Sequence, residues 1–341
     1  MKGPRILVAH AWLKGNLGDV LQLSVLLSEL RKLNPRTLDL AGYPATPAPE
    51  TQEVLRLADR YIPDRFPWYW SLMPEPLAGL VVEPWWRRQR EALFSRYDAL
   101  VCAPGPYLAE YDPRAISALS DIAVAADLGL DVVLSSHSIG PVRAAALEVV
   151  SKAALCIARE SATHGYLQER GVSSILSADF AFLYPYAAPE AGGPPDVPYR
   201  VAFLRSNNLD VRQLRLAAGG LYEGSRQICE IGADQLVLAT SDYRRDQRFL
   251  ESAACALGVP WMACRSVHDL VRLIARSSGV VSDRYHPAIC AAVLGKPAHV
   301  IPNREPHKML GLTSLLADRP LDELQALARA GLAAIRTELQ R

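Results

Sequence analysis

The sequence predicts an α/β protein built as two doubly wound domains, and three observations carry that prediction. Short apolar runs alternate with helical patterns through both halves of the chain, the signature of parallel βαβ units. The runs themselves, RILVAHA and ALVCAPG among them, are nearly continuous in apolar residues, as strands covered by helices on both faces must be. A Pro- and Gly-dense stretch without period, YPYAAPEAGGPPDVPYR, parts the two halves of the 341 residues and reads as a linker.

In order, the strand RILVAHA leads to the helix DVLQLSVLLSELRKL, and TLDLAGY to a helix around TQEVLRLADRY. Then come ALVCAPG, a helix from about residue 115 to 128, DVVLSSHS, a further helix, ALCIARES and a strand SSILSADFAF. After the linker follow RVAFLRSN, a long helical stretch, QLVLATS, the helix through RRDQRFLESAACAL, PWMACRS, the helix SVHDLVRLIARS, GVVSD, PAICAAVLG and PAHVIP. The expected division is therefore residues 1–185, a linker at 186–200, a second domain at 201–312, and an amphipathic helix at 313–341. One segment breaks the alternation: residues 63–97 hold four of the six tryptophans. This Trp-rich insertion suits a cluster packed on the sheet, a stacking platform for an acceptor, or peripheral contact with lipid.

Composition narrows the function. Lys and Arg number 37 against 36 Asp and Glu, so no global field draws the chain to nucleic acid or an anionic membrane. Six cysteines lie scattered with no CxxC pair, which fits a reduced, cytoplasmic setting without disulfides. The start, MKGPRILVAHAWLKGN, has a short apolar core interrupted by Lys14 and reads as the first strand rather than a signal peptide. No run approaches the ~18 uncharged apolar residues of a membrane span, and a soluble protein is expected.

Chemistry-bearing residues gather at strand ends, where open α/β sheets bind ligands. In LKGNLGDVLQLS, Gly15 and Gly18 permit close backbone approach, and Asp19 is placed at the helix N-cap. An ordinary capped turn explains this motif as well as a ligand does. VCAPGPYL offers Gly105 and SSHSIGPV offers Ser138 in turns of the same design. In CIARESATHGYLQERG, Arg159 is either an ion-pair partner or a fork for carboxylate or phosphate. Asp179 interrupts the strand LSADFAFL and needs a partner such as Arg159. Finally, SDRYHPAICAAVLGKP sets Asp283, Arg284 and His286 at a strand-to-helix junction, with Lys308 following the next strand. Helix N-termini there favour anions. The remaining histidines, His10, His137, His164, His268, His299 and His307, have no ligand spacing, and no structural metal is expected.

Taken in order, GNLGD, APGPY, SIGP, ARES, SADFAF, SDRYHPAICAAVLGKP and the late lysine resemble the polysaccharide pyruvyl transferase family, over all but the Trp-rich segment of roughly residues 5–310. The resemblance implies two Rossmann-like domains similar to GT-B glycosyltransferases. It implies transfer of pyruvate from phosphoenolpyruvate onto two hydroxyls of a sugar in a glycan or its precursor, closing a cyclic ketal and releasing phosphate. Arg159, Arg284, Lys308 and Arg205 would hold the donor's anions, and His286 would be the general acid. Asn16, Gly18 and Asp19 would orient the acceptor, Asp19 taking the hydroxyl proton. No metal or other cofactor is demanded, since arginines carry the anionic charge. The implied partners are phosphoenolpyruvate and a sugar acceptor, lipid-linked, nucleotide-linked or polymeric, met in the cytoplasm or at the inner face of the membrane. The competing expectation is a GT-B-type glycosyltransferase with a nucleotide-sugar donor, for which Glu305 is the nearby ribose-binding candidate.

Overall fold

A computed structural model describes residues 3–64, 83–109, 112, 114–186, 197–302 and 306–341. The chain forms two compact units. The first comprises Met1–Lys14, Gln22–Phe180 and Leu324–Arg341, and the second Gly15–Leu21 and Ala181–Glu323.

The first unit holds β1 (Arg5–Trp12), β2 (Thr37–Tyr43), β3 (Arg60–Pro63), β4 (Ala99–Cys102), β5 (Gly105–Leu108), β6 (Asp131–Ile139), β7 (Leu155–Ala158) and β8 (Ile175–Leu176). They build one sheet in the order β3-β2-β1-β4-β6-β7-β8, with β5 pairing β6. Every pairing is parallel. Strand order reverses direction between β1 and β4, so the crevice at their carboxyl ends is the topological switch point. Ile6, Leu7, Val8, Leu100 and Val101 are fully buried, as a sheet covered on both faces requires. The one charge inside β2, Asp39, is held by Arg60 Nη2 at 2.7 Å and the Tyr97 hydroxyl at 2.6 Å.

The second unit has a parallel sheet in the order β14-β13-β9-β15-β16, from β9 (Tyr199–Phe203), β13 (Gln235–Thr240), β14 (Trp261–Ala263), β15 (Gly279–Ser282) and β16 (Ala298–Val300). Its switch point lies between β9 and β15. The expected long helix after β9 is instead an antiparallel meander, β10 (Leu214–Ala217), β11 (Gly220–Glu223) and β12 (Arg226–Glu230). Ala218-Gly219 and Gly224 take positive φ and turn the chain back twice, which a helix does not tolerate. On β11, Leu221 is buried against Ile228 and Cys229 of β12.

Three further expectations change for local reasons. The region TQEVLRLADRY is a single helical turn, Gln52–Leu55, followed by β3. The strand expected over SSILSADFAF shrinks to the two residues of β8, and Phe180–Leu183 forms a 3-10 turn, so Asp179 sits between elements and not within a strand. The helix expected over 313–341 is broken: one helix spans Pro306–Asp318 and another Leu321–Glu338, because Pro320 cannot continue the first. The last helix packs on the first unit, where Gly331 admits the Ser177 side chain. A Cβ at Gly331 would lie 2.5 Å from Ser177 Oγ, which donates to Leu327 O at 3.1 Å. Arg336 reaches Glu29 at 2.7 Å.

The proposed linker at 186–200 lies largely outside the described residues, as does the Trp-rich stretch before the helix Glu83–Phe94. All six cysteines are free, and only Cys255 is exposed. No helix among the described residues is long and apolar enough to cross a membrane.

Candidate active site

The second unit gathers charge at its switch point. After β9, Arg205 donates its backbone N–H to Asp283 Oδ2 at 3.1 Å, and Asn208 Nδ2 donates to the same oxygen at 2.9 Å. Asp283, fully buried after β15, is pushed up to about 6 by that burial, with the Arg205 and Asn208 hydrogen bonds pulling the other way. The next residue, Arg284, is the N-cap of the helix Tyr285–Val293 and makes no side-chain cap bond. Its guanidinium turns instead to the end of β13, pairing Nη2 with Asp246 and approaching Asp242 with Nη1 at 3.5 Å. Nε has no hydrogen-bond acceptor among the described residues. Burial drives this guanidinium down to about 9, against the pull of Asp242 and with Arg205 and Arg245 adding like charge. A buried cation crowded by cations, at a helix N-terminus, is stabilised by an incoming anion.

His286 follows inside the first turn, 7 % exposed. The motif GNLGD, though it follows β1, belongs to this unit. Leu17 N–H donates to Ser241 O at 2.8 Å, and Asn16 bridges Asp242. The helix Leu17–Arg31 therefore contributes its first turn here. Asp19, expected from sequence to be its N-cap, lies instead within its first turn. Asn16 caps it, accepting from Gly18 N–H at 3.1 Å on Oδ1, while its Nδ2 donates to Asp19 Oδ2 at 3.0 Å. This side-chain bond between the cap and the third helical residue fixes both side chains. Gly18 is pressed on the imidazole: a Cβ there would stand 1.9 Å from His286 Nδ1. Asn16, Gly18, Asp19, Arg205, Arg284 and His286, distant in sequence, are thus assembled in one unit. Sequence reading missed Asp242, Asp246 and Asn208. The first of these stood in plain view at the end of QLVLATS, under the same strand-end logic. Lys308 lies on the helix Pro306–Asp318, but its side chain falls outside the described residues, and Glu305 does so entirely.

The candidates in the first unit form a separate buried network. Arg159, 0 % exposed, gives Nη1 to Asp179 Oδ2 at 2.9 Å and Nε to Ser138 Oγ at 2.7 Å, with Glu160 Oε2 at 3.4 Å. Ser138 donates to Glu160 at 3.0 Å, and Thr163 donates to its other oxygen at 2.6 Å. Arg159 is thus the partner that buried Asp179 needs, in a buried pair and not one at the surface. It ties the ends of β6 and β7 to the segment before the 3-10 turn Phe180–Leu183. Gly105 is buried and paired with His137 in the β5–β6 ladder, so the expected stiff turn is a strand.

His137, in β6, is fully buried with its ring edge-on to Tyr107 at 5.1 Å. Burial, then Arg159 and His10, lower its pKa to about 3. The unfolded chain binds this proton below about pH 6.5 and the fold does not, so His137 costs stability as pH falls from there towards 3. Replacing it by Phe is expected to flatten the acid limb of a stability–pH curve by about 1.4 kcal/mol per pH unit, measured by urea unfolding between pH 6 and 4.

Two doubly wound sheets, with anion-favouring groups assembled at a switch point, define an α/β protein of the GT-B-like fold class. Solved structures agree on the fold. The UDP-GlcNAc 2-epimerase of Methanocaldococcus jannaschii aligns over 99 % of both chains at 11 % identity and a TM-score of 0.58. A Listeria monocytogenes protein described as a putative UDP-N-acetylglucosamine 2-epimerase aligns over 96 % of this chain and 91 % of its own, at 9 % identity and a TM-score of 0.55. That of Neisseria meningitidis covers 98 % and 99 %, at 11 % and 0.53. No curated protein matches the sequence. The model of the polysaccharide pyruvyl transferase family matches residues 16–305. The chain belongs to that family and is a pyruvyl transferase enzyme.

Proposed function

We propose that the enzyme transfers pyruvate from phosphoenolpyruvate onto two hydroxyls of one sugar in a glycan or glycan precursor, forming a cyclic ketal. The observation that carries this reading is the junction after β15, where buried Arg284 and His286 share a helix N-terminus with Arg205 and the GNLGD turn. The donor brings a carboxylate and a phosphate, and Arg284 and Arg205 are the cations to receive them. His286 protonates the donor methylene, which becomes the ketal methyl group and leaves C2 electrophilic. One sugar hydroxyl adds to C2, with Asp19 taking its proton. The second hydroxyl displaces phosphate, which departs with the remaining proton. The sugar acceptor, lipid-linked, nucleotide-linked or polymeric, meets the enzyme on the cytoplasmic side of the membrane in this reading.

Thermal unfolding with and without phosphoenolpyruvate tests it. At a hundredfold excess over Kd the donor should add about 2.7 kcal/mol to the folded state. His286→Ala should keep most of the shift. Arg284→Lys, which retains a charge beside Asp246 but loses the planar fork, should abolish it. Stabilisation by a nucleotide sugar, with none by phosphoenolpyruvate, overturns the proposal in favour of glycosyl transfer.

A further inference from the structure

His10, at the carboxyl end of β1, adopts φ of 64°, a conformation that a bulky non-glycine residue holds only when its surroundings impose it. Its Nε2 points at Oδ2 of Asp121, from the helix Arg114–Asp127, at 3.6 Å. Both atoms are buried and neither has a hydrogen-bond partner. The separation is too long for a hydrogen bond. It is close to the edge of about 3.4 Å between two ligands of one tetrahedral ion with bonds near 2.1 Å. A carboxylate oxygen of Asp64, just after β3, completes a set whose ligand atoms all lie within 4.8 Å of one another.

From this geometry we infer that His10, Asp64 and Asp121 form a binding site for a first-row divalent metal ion. The surrounding residues are arranged as such a site needs. Asp121 Oδ1 accepts from Trp86 Nε1 at 2.9 Å and lies 3.0 Å from Arg90 Nε, which turns Oδ2 towards His10. Arg90 Nη2 takes Asp64 Oδ1 at 2.5 Å. Partners of this kind orient ligands without occupying the ion's position. With both carboxylates ionised, their charge exceeds that of the one guanidinium by one, and this negative charge faces the imidazole. A cavity of about 30 Å³, lined by His10, Asp64, Trp12, Tyr43, Tyr107 and Arg114, adjoins the set and has room for a water as a further ligand. One imidazole with two carboxylates suits Zn²⁺, with Mn²⁺ as the harder alternative. This assignment stands apart from the proposed reaction. It also gives Trp86 and Arg90, both from the Trp-rich segment, a defined task. The sequence spacing predicted no metal because the ligands come from three separate elements.

The full chain, stripped with a chelator, is titrated with Zn²⁺ and with Mn²⁺ against a chromophoric competitor, and its unfolding midpoint is followed in parallel. We expect uptake of about one equivalent, a raised midpoint, and affinity lowered at least about tenfold in Asp121→Asn and in His10→Asn. Asn suits the positive φ at position 10. Asp64→Asn, at a partly exposed side chain, should weaken binding without disturbing the fold and keeps the test sharp if the buried variants unfold. Failure of the wild type to take up either ion overturns the site, as does unchanged binding in all three variants.

Discussion

Gly18→Ala should lower turnover about a hundredfold while leaving the fold intact. Gly18 lies in the first turn of a helix and does not take a positive φ, so alanine suits its backbone and favours the helix by up to about 1 kcal/mol. The added methyl meets the His286 ring, 1.9 Å from Nδ1, and the ring must move. Displacing a reacting group by about 1 Å costs on the order of 10²-fold in rate. Phosphate release from phosphoenolpyruvate in the presence of a sugar acceptor gives the rate, and circular dichroism checks the fold. Because the donor's anions are assigned to Arg284 and Arg205, its thermal shift should persist. Wild-type turnover in Gly18→Ala would remove His286 from the role of acid.

Arg159→Met should destabilise the protein by about 3–5 kcal/mol, the cost of leaving a buried charge without its partner. Asp179 is 0 % exposed and loses the guanidinium at 2.9 Å. For units of this size the unfolding midpoint should fall by roughly 10 °C. The double variant Arg159→Met, Asp179→Leu should recover the part of that loss due to Asp179, while buried Glu160 keeps its Ser138 and Thr163 donors but not its cation. A small loss of stability joined to complete loss of donor binding would return Arg159 to the donor-anion role that the family resemblance implies.

Much of the architecture was legible because its signals are local. Continuous apolar runs such as RILVAHA and TLDLAGY can only be strands buried on both faces, and they appear as β1 and β2. Where several local signals compete, reading fails. The stretch after RVAFLRSN carries helix-compatible residues, yet paired glycines and alternating Leu221 and Ile228 turn it into a meander. The N-cap of the first helix went to Asp19 by residue type, whereas Asn16, one position before the helix, makes the bond.

The sequence by itself determined the two doubly wound sheets, their strand-end motifs and the family, since each rests on residue types at short spacing. Tertiary structure decided which motifs share a site. It moved GNLGD from the strand it follows to the unit holding His286, through a backbone bond to Ser241 and a glycine with no side chain to interfere. It set Arg159 at the centre of a buried network with Asp179, Glu160 and Ser138. It also brought His10, Asp64 and Asp121 together from elements up to 111 residues apart. Spacing along a chain cannot encode such meetings, because they depend on sheet order and on which helix crosses which strand end.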